Sequence, residues 1–285
     1  MSRTAYVNGA YLPLAAAAVS VEDRGFQFAD SVYEVWAVRS GRLFDAQAHL
    51  ARLHRSLLET RIAAPMSEAA LMAVIRETMR RNKVRDGIVY LQISRGAAAR
   101  DHAFPPPSTR PSLVVTAKSL DRPNWAARAA NGVKIISAPE TRWARRDIKS
   151  VNLLPNVLAR QRAKEAGAFE AWFVDSEGFV TEGTSSNAWI VDSKGVLRTR
   201  ALSNAILHGV TRAALLQLAR ERQIKVVEAP FTIAEAQAAR EAFISSAGNP
   251  GVPVIAIDER PIGDGEPGPL TKALRAAYLG AASPQ

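Results

Sequence analysis

Lys149 lies in RRDIKSVNLLPN, directly after Asp147-Ile148, and is one of only eight lysines beside 29 arginines in a chain of 285 residues. A lysine withdrawn from water has its pKa pushed down, and the neutral amine can add to a carbonyl and later move a proton. A lysine at the surface end of a strand does neither, and spacing alone leaves both readings open. Glu182, in TEGTSSNAWIVD (181–192), precedes a predicted strand among small hydroxyl residues. A carboxylate held against a pyridinium nitrogen keeps such a ring protonated and electron-accepting; left exposed, it is an ordinary turn acid. Gly209-Val210-Thr211-Arg212 stands ahead of an amphipathic segment. Backbone N–H groups and a hydroxyl at a helix start can bind an anion, and helix capping explains Thr211 equally well. Arg100-Asp101-His102 offers a planar two-donor fork for a carboxylate with a third donor beside it, or is an unremarkable stretch of loop. His49 precedes Arg52 by three residues, so a helix would turn both to one side; His54 and His208 read as structural. No set of histidines and acids has metal-ligand spacing, and no metal is expected.

The elements that must carry these residues follow from periodicity. AYVNG and the return stretch within 10–21 read as a hairpin about Asn8-Gly9, and residues 32–38 and 42–44 as another about Ser40-Gly41. Leu50, Leu53, Leu57 and Ile62 recur at helical spacing over 45–62. Ser67 opens a second helix through Arg80, with Ala70, Leu71, Val74 and Met79 as its buried stripe. Strands are expected at 88–94 and 112–118, separated by a Pro- and Gly-rich loop (95–111) long enough to suggest function. SLDRPNW then breaks the pattern. Beyond it, strands are expected at 133–138, 171–175, 188–192, 225–230, 242–246 and 252–258, with helices at 156–166, 212–223 and 270–279. The division is therefore 1–118 as an N-terminal α/β domain, 119–126 as linker, and 127–285 as a larger C-terminal domain carrying Lys149.

Composition bounds the chemistry. The absence of cysteine excludes disulfides, thiolate metal sites and a thiol nucleophile, and points to the cytoplasm. The net charge of +10 invites a nucleic-acid reading, but the arginines are dispersed, with Arg80-Arg81 and Arg145-Arg146 as the longest runs and no recognition motif among them. Neither nucleic acid nor membrane is an expected partner. The apolar run at 10–21 is interrupted by Pro13 and shorter than the roughly 18 residues of a membrane span.

Taken together, the segments SVEDRGFQFADSVYEVWAV (20–38), HLARL (49–53), SRGAAARDHAFP (94–105), TRWARRDIKSVNLLPNVLA (141–159), EGTSSNAWIV (182–191), ILHGVTR (206–212) and PVIAID (253–258) resemble the fold-type IV pyridoxal-phosphate enzymes, and most closely the D-amino-acid aminotransferases. The resemblance implies a two-domain α+β or α/β fold with the cofactor in the cleft. It implies that Lys149 forms the Schiff base with pyridoxal 5′-phosphate and shuttles the proton, and that Glu182 pairs with the pyridine nitrogen. Arg52 and the Val210-Thr211 turn would hold the phosphate, and Arg142 would lie near the cofactor. Tyr33, Arg100 and His102 would trap the substrate carboxylate, the last two reaching in from the partner subunit of a homodimer.

The implied reaction is ping-pong transamination of D-amino acids such as D-alanine with a 2-oxo acid such as 2-oxoglutarate. An (R)-selective amine transaminase and a branched-chain L-amino-acid aminotransferase are the rival activities. An aminodeoxychorismate lyase, a basic nucleic-acid-binding protein and a cofactor-free binding module stand further off. One departure from the family pattern falls after Phe243-Ile244-Ser245-Ser246, where the family supplies a hydroxyl and this chain reads Ala247-Gly248-Asn249-Pro250. Backbone N–H groups of Ala247 and Gly248 would then serve the phosphate.

Overall fold

Alternation of large apolar side chains with smaller or polar ones builds the first sheet. In the computed structural model, which describes residues 3–281, the first part of the chain forms β1 (Thr4–Val7), β2 (Ala10–Pro13), α1 (Arg24–Phe28), β3 (Ser31–Arg39), β4 (Arg42–Leu43), α2 (Ala46–Thr60), α3 (Glu68–Arg81), β5 (Gly87–Ser94) and β6 (Ser112–Ser119). The strands pair antiparallel in the order β2-β1-β6-β5-β3-β4. Val32, Trp36 and Val38 of β3, Val89, Leu91 and Ile93 of β5, and Leu113, Val115 and Ala117 of β6 form one core with the apolar faces of α2 and α3. On α2 the expected Leu50, Leu53 and Leu57, with Ile62 just beyond it, are all buried. On α3, Ser67 caps the helix through Ala70 N–H as expected, but the buried stripe is Leu71, Met72, Ile75 and Met79. Ala70 is exposed and Val74 only half-buried, because the larger Met72 and Ile75 take the core-facing positions.

The remainder forms α4 (Arg122–Asn131), β7 (Val133–Pro139), α5 (Leu154–Glu165), β8 (Glu170–Val174), β9 (Val180–Gly183), β10 (Asn187–Val191), β11 (Leu197–Thr199), α6 (Val210–Glu221), β12 (Val226–Glu228), α7 (Ile233–Gln237), β13 (Glu241–Ser246), β14 (Asn249–Ile257), β15 (Arg260–Pro261) and α8 (Pro269–Ala281). Its nine-stranded sheet runs β12-β11-β10-β13-β14-β7-β8-β9, with β15 beside β14. The pairs β11/β12, β14/β7 and β7/β8 are parallel. Every residue of β10 is buried, the pattern of a strand covered on both faces. Among the described residues no helix is long and apolar enough to cross a membrane.

Two details depart from the sequence reading. Residues 122–131, partly assigned to a linker, are helical: Asp121 caps the helix through Asn124 N–H, and Pro123 falls in the first turn, where proline lacks no needed donor. The chain also divides into compact units of 3–120 with 148–152, and 121–147 with the rest of the described chain, so Lys149 groups with the first unit rather than the second. The reason is backbone pairing: Tyr33 N–H donates to Lys149 O at 3.0 Å, Val151 N–H to Ser31 O at 3.1 Å, and Ile148 joins the first core.

Candidate active site

The pairing along β3 puts Lys149 beside Tyr33. Its Nζ lies 4.2 Å from the centre of the Tyr33 ring, and its own N–H reaches Ser56 Oγ of α2 at 3.4 Å. Tyr33 in turn stacks on Tyr90 of the neighbouring strand, whose hydroxyl donates to Gln92 at 2.7 Å. Burial, with Tyr33 adding to it, pushes the Tyr90 phenol up to about 12, so it stays a neutral donor.

On the opposite face of β3, Glu34 is fully buried between Val32 and Trp36. Arg52 donates to it through Nε at 2.9 Å and Nη2 at 2.6 Å, and His49 Nδ1 lies 2.9 Å from the same carboxylate. Burial works to raise the Glu34 pKa, but Arg52 and His49 outweigh it and hold the carboxyl well below its usual range. Burial lowers the His49 imidazole, against the pull of Glu34. Arg52 is thus a guanidinium set in one orientation by a two-point fork. His49 and Arg52 share a helix face as expected; the acid that joins them was not singled out in the sequence, although period 2 places Glu34 at a core position, where an unpaired acid is rare.

The loop holding Arg100 and His102 is fastened at Arg95 and, through its backbone, at Asp101. Arg24 Nη1 donates to Asp101 O at 2.6 Å and its Nε to Asp30 at 2.9 Å. Arg95 binds Asp30 through two nitrogens at 2.7 and 2.9 Å and also donates to the carbonyls of Thr60 and Arg61. Burial opposes these bonds, yet they hold the Asp30 carboxyl below its usual value. The Arg100 and His102 side chains are exposed and both rest on the Phe28 ring, at 5.0 and 5.3 Å.

In the second unit Glu182 is the centre. Arg142 Nη1 donates to its Oε1 at 2.6 Å, while Asn187 Nδ2 and Leu207 N–H donate to Oε2 at 3.0 and 3.1 Å. The same guanidinium donates to Glu140 at 2.9 and 2.6 Å. Burial pushes the Glu182 carboxyl above its usual range, and Arg142, shared with Glu140, only partly opposes this. Three donors leave a carboxylate, with about four lone-pair positions, able to accept one more. Val210 and Thr211 form the first turn of α6 and are buried. Thr211 Oγ1 is buried with no hydrogen-bond partner among the described residues, and such a group normally has one. A phosphate at this helix start would supply it. Ala247 and Gly248 form a two-residue turn joining β13 to β14, with Ser246 opposite Asn249, and Gly248 O accepts from Trp125 Nε1 at 2.7 Å. An unused acceptor position on Glu182 and an orphaned hydroxyl on Thr211 fit a cationic ring nitrogen and a phosphate.

The structure thus groups Lys149, Tyr33, Arg52, Arg100 and His102 in the first unit, and Arg142, Glu182, Val210, Thr211 and Ala247 in the second. Sequence reasoning missed Glu34, Glu140 and Asn187, which touch the candidates rather than stand among them, and Asp30, which ties Arg24 to Arg95 beneath the loop that carries two of them.

Residues 31–257 match the family model described as amino-transferase class IV. The chain is 42% identical over 270 residues to the D-alanine aminotransferase of Bacillus licheniformis, covering 95% of this chain and 94% of that one. Among solved structures it resembles the branched-chain amino acid aminotransferase of Escherichia coli, with a TM-score of 0.90 and 25% identity over 99% of this chain and 95% of that one. It also resembles a second branched-chain amino acid aminotransferase, from T.th., solved with pyridoxamine 5′-phosphate, with a TM-score of 0.89 and 27% identity over 99% of this chain and 95% of that one. The fold is accordingly the mixed helix-and-sheet fold of these fold-type IV enzymes. A family match spanning most of the sequence, joined to that identity along nearly its whole length, means that the chain belongs to the class IV aminotransferases.

Proposed function

We propose that this aminotransferase takes D-amino acids, D-alanine among them, as amino donors and passes the amino group to a 2-oxo acid such as 2-oxoglutarate. The observation that carries the reading is its 42% identity with a D-alanine aminotransferase, against 25–27% with the branched-chain enzymes. When bound, pyridoxal 5′-phosphate supplies an aldehyde that takes up an amino group and a ring that draws electrons from Cα. Lys149 Nζ would hold the cofactor by that aldehyde and would carry the proton from Cα. Glu182, oriented by Arg142, would face the ring nitrogen. Arg52, the Val210-Thr211 turn and the backbone at Ala247 would hold the phosphate; the orphaned Thr211 hydroxyl supports this.

Tyr33, Arg100 and His102 take the α-carboxylate. Fixing the carboxylate on one side of a stationary Cα–H exchanges the places of carboxylate and side chain, which selects one enantiomer. The first product leaves before the second substrate binds, giving ping-pong kinetics. The active form is a homodimer in which Arg100 and His102 complete the site of the other copy. Their exposure supports this, as does the apolar surface at Leu154, Val157 and Leu158 of α5 and at Val21, Phe26 and Leu58, all more than half exposed. A cysteine-free composition supports a cytoplasmic location.

The test is spectroscopic. Protein supplied with pyridoxal 5′-phosphate should be yellow, should lose its visible band on borohydride reduction with the label on Lys149, and should respond to D-alanine but not L-leucine. A colourless protein, or one answering only to L-leucine or (R)-1-phenylethylamine, overturns the reading. Lys149→Ala should lower turnover by about 10³-fold or more.

A further inference from the structure

Asn187, the first residue of β10, is 5% exposed and touches both ends of the second unit's half of the site. Its Nδ2 donates to Glu182 Oε2 at 3.0 Å and to Leu207 O at 3.1 Å. Both partners accept only, so the NH₂ must face them and Oδ1 must face away. On that other side stands Gly209, which caps α6 and precedes Val210-Thr211. A Cβ on Gly209 would lie 2.0 Å from Asn187 Oδ1 and 3.1 Å from Arg212 Cβ. The φ of Gly209 is −66°, an ordinary value for any residue, so glycine is needed there for space alone. Asn187 is also paired with Ser245 near the end of β13, and the chain leaves that strand into the Ala247-Gly248 turn.

From this geometry we infer that Asn187 is a positioning residue whose amide sets the spacing between the Glu182 carboxylate and the first turn of α6. The inference rests on the reading above, in which Glu182 meets the ring nitrogen and Thr211 the phosphate. A cofactor has a fixed length from ring nitrogen to phosphate, so two contacts can both be well formed only at one separation, and a misplacement of about 1 Å can cost on the order of 10²-fold. One rigid amide wedged between the two anchors supplies that separation without intervening flexible atoms.

The experiment is a binding titration of the cofactor-free protein, by tryptophan fluorescence, with pyridoxal 5′-phosphate and with pyridoxal. Of the two anchors that Asn187 joins, pyridoxal reaches only the one at the ring nitrogen. Asn187→Ser should weaken pyridoxal 5′-phosphate by on the order of tenfold or more, the scale of a lost hydrogen bond to a charged group, and pyridoxal by less. Equal losses for both ligands would mean that Asn187 serves Glu182 alone and would overturn the spacing role, as would unchanged affinity for both.

Gly209→Ala tests the other side of the wedge and does not depend on the behaviour of the first variant. It should weaken pyridoxal 5′-phosphate binding strongly by itself, and by clearly less in an Asn187→Ala background, where the obstructing oxygen is gone. Effects that simply multiply would refute the coupling. Unmodified protein that binds neither ligand would instead remove the cofactor reading beneath the proposal, and the proposal with it.

Discussion

Glu34 in the first unit and Glu182 in the second are both buried carboxylates bonded to an arginine, yet their pKa values move in opposite directions. Glu34 receives two donors of Arg52 and the His49 imidazole as well, and its charge is fully compensated. Glu182 receives one donor of a guanidinium whose other bonds go mainly to Glu140. The difference teaches that a carboxylate's role depends on whether its countercharge is shared. Glu34 is an anchor whose ionisation stabilises the fold. Glu182 holds a charge incompletely compensated by the protein, and a cation brought to it from outside gains accordingly.

Removing each acid separates the two cases. Glu34→Ala leaves Arg52 buried without its main partner, and loss of one member of such a pair costs about 3–5 kcal/mol. The thermal unfolding midpoint should fall by roughly 10 °C, at 2–4 °C per kcal/mol for a chain of this size class. Glu182→Gln should lower kcat/KM for D-alanine by about 10²-fold, or roughly 2.7 kcal/mol, while leaving the cofactor-free protein at least as stable at pH 7.

The sign follows from linkage. The Glu182 pKa is raised in the folded state, so ionisation disfavours folding once the pH exceeds the unfolded value near 4.3, and glutamine removes that penalty. Glu34 is the reverse: its contribution is complete above about pH 4.3 and is lost as the pH falls toward its lowered folded value. Unfolding curves at pH 4 and 7 read both, and a Glu182→Gln protein less stable than the parent at pH 7 would break the comparison. The smallest effect is Ala247→Ser, which restores a hydroxyl at the departing turn and should tighten cofactor binding by about 0.5–1.5 kcal/mol, roughly two- to tenfold in Kd.

Periodicity made much of this fold legible. The leucine spacing of α2 and the alternation along β3, β5 and β6 are local patterns that the packed core leaves intact. The 122–131 helix escapes the sequence reading because Pro123 marks an interruption only when it stands inside a helix, and here it stands at the start. Lys149, Glu182 and Arg100 are single residues whose chemistry is readable only with the ordered motifs around them. Asp30 and Asn187 carry no comparable mark. Each acts by bonding to residues whose neighbourhood is set by the fold, Asp30 to Arg95 across 65 positions and Asn187 to the carbonyl of Leu207 across 20. Glu140 stands two residues from Arg142, but the separation does not reveal that one guanidinium serves two acids.

The clasp of Arg24, Asp30 and Arg95 holds the 95–111 loop at Arg95 and at the backbone carbonyl of Asp101, while the side chains of Arg100 and His102 rest on a single phenylalanine ring. The clasp thus takes hold of backbone, and the two exposed side chains take no part in it. If Arg100 and His102 meet the substrate as proposed, their side chains can be exchanged in the laboratory or by descent without loosening the clasp, and new substrate preferences would be open to this chain by changes at a few exposed positions.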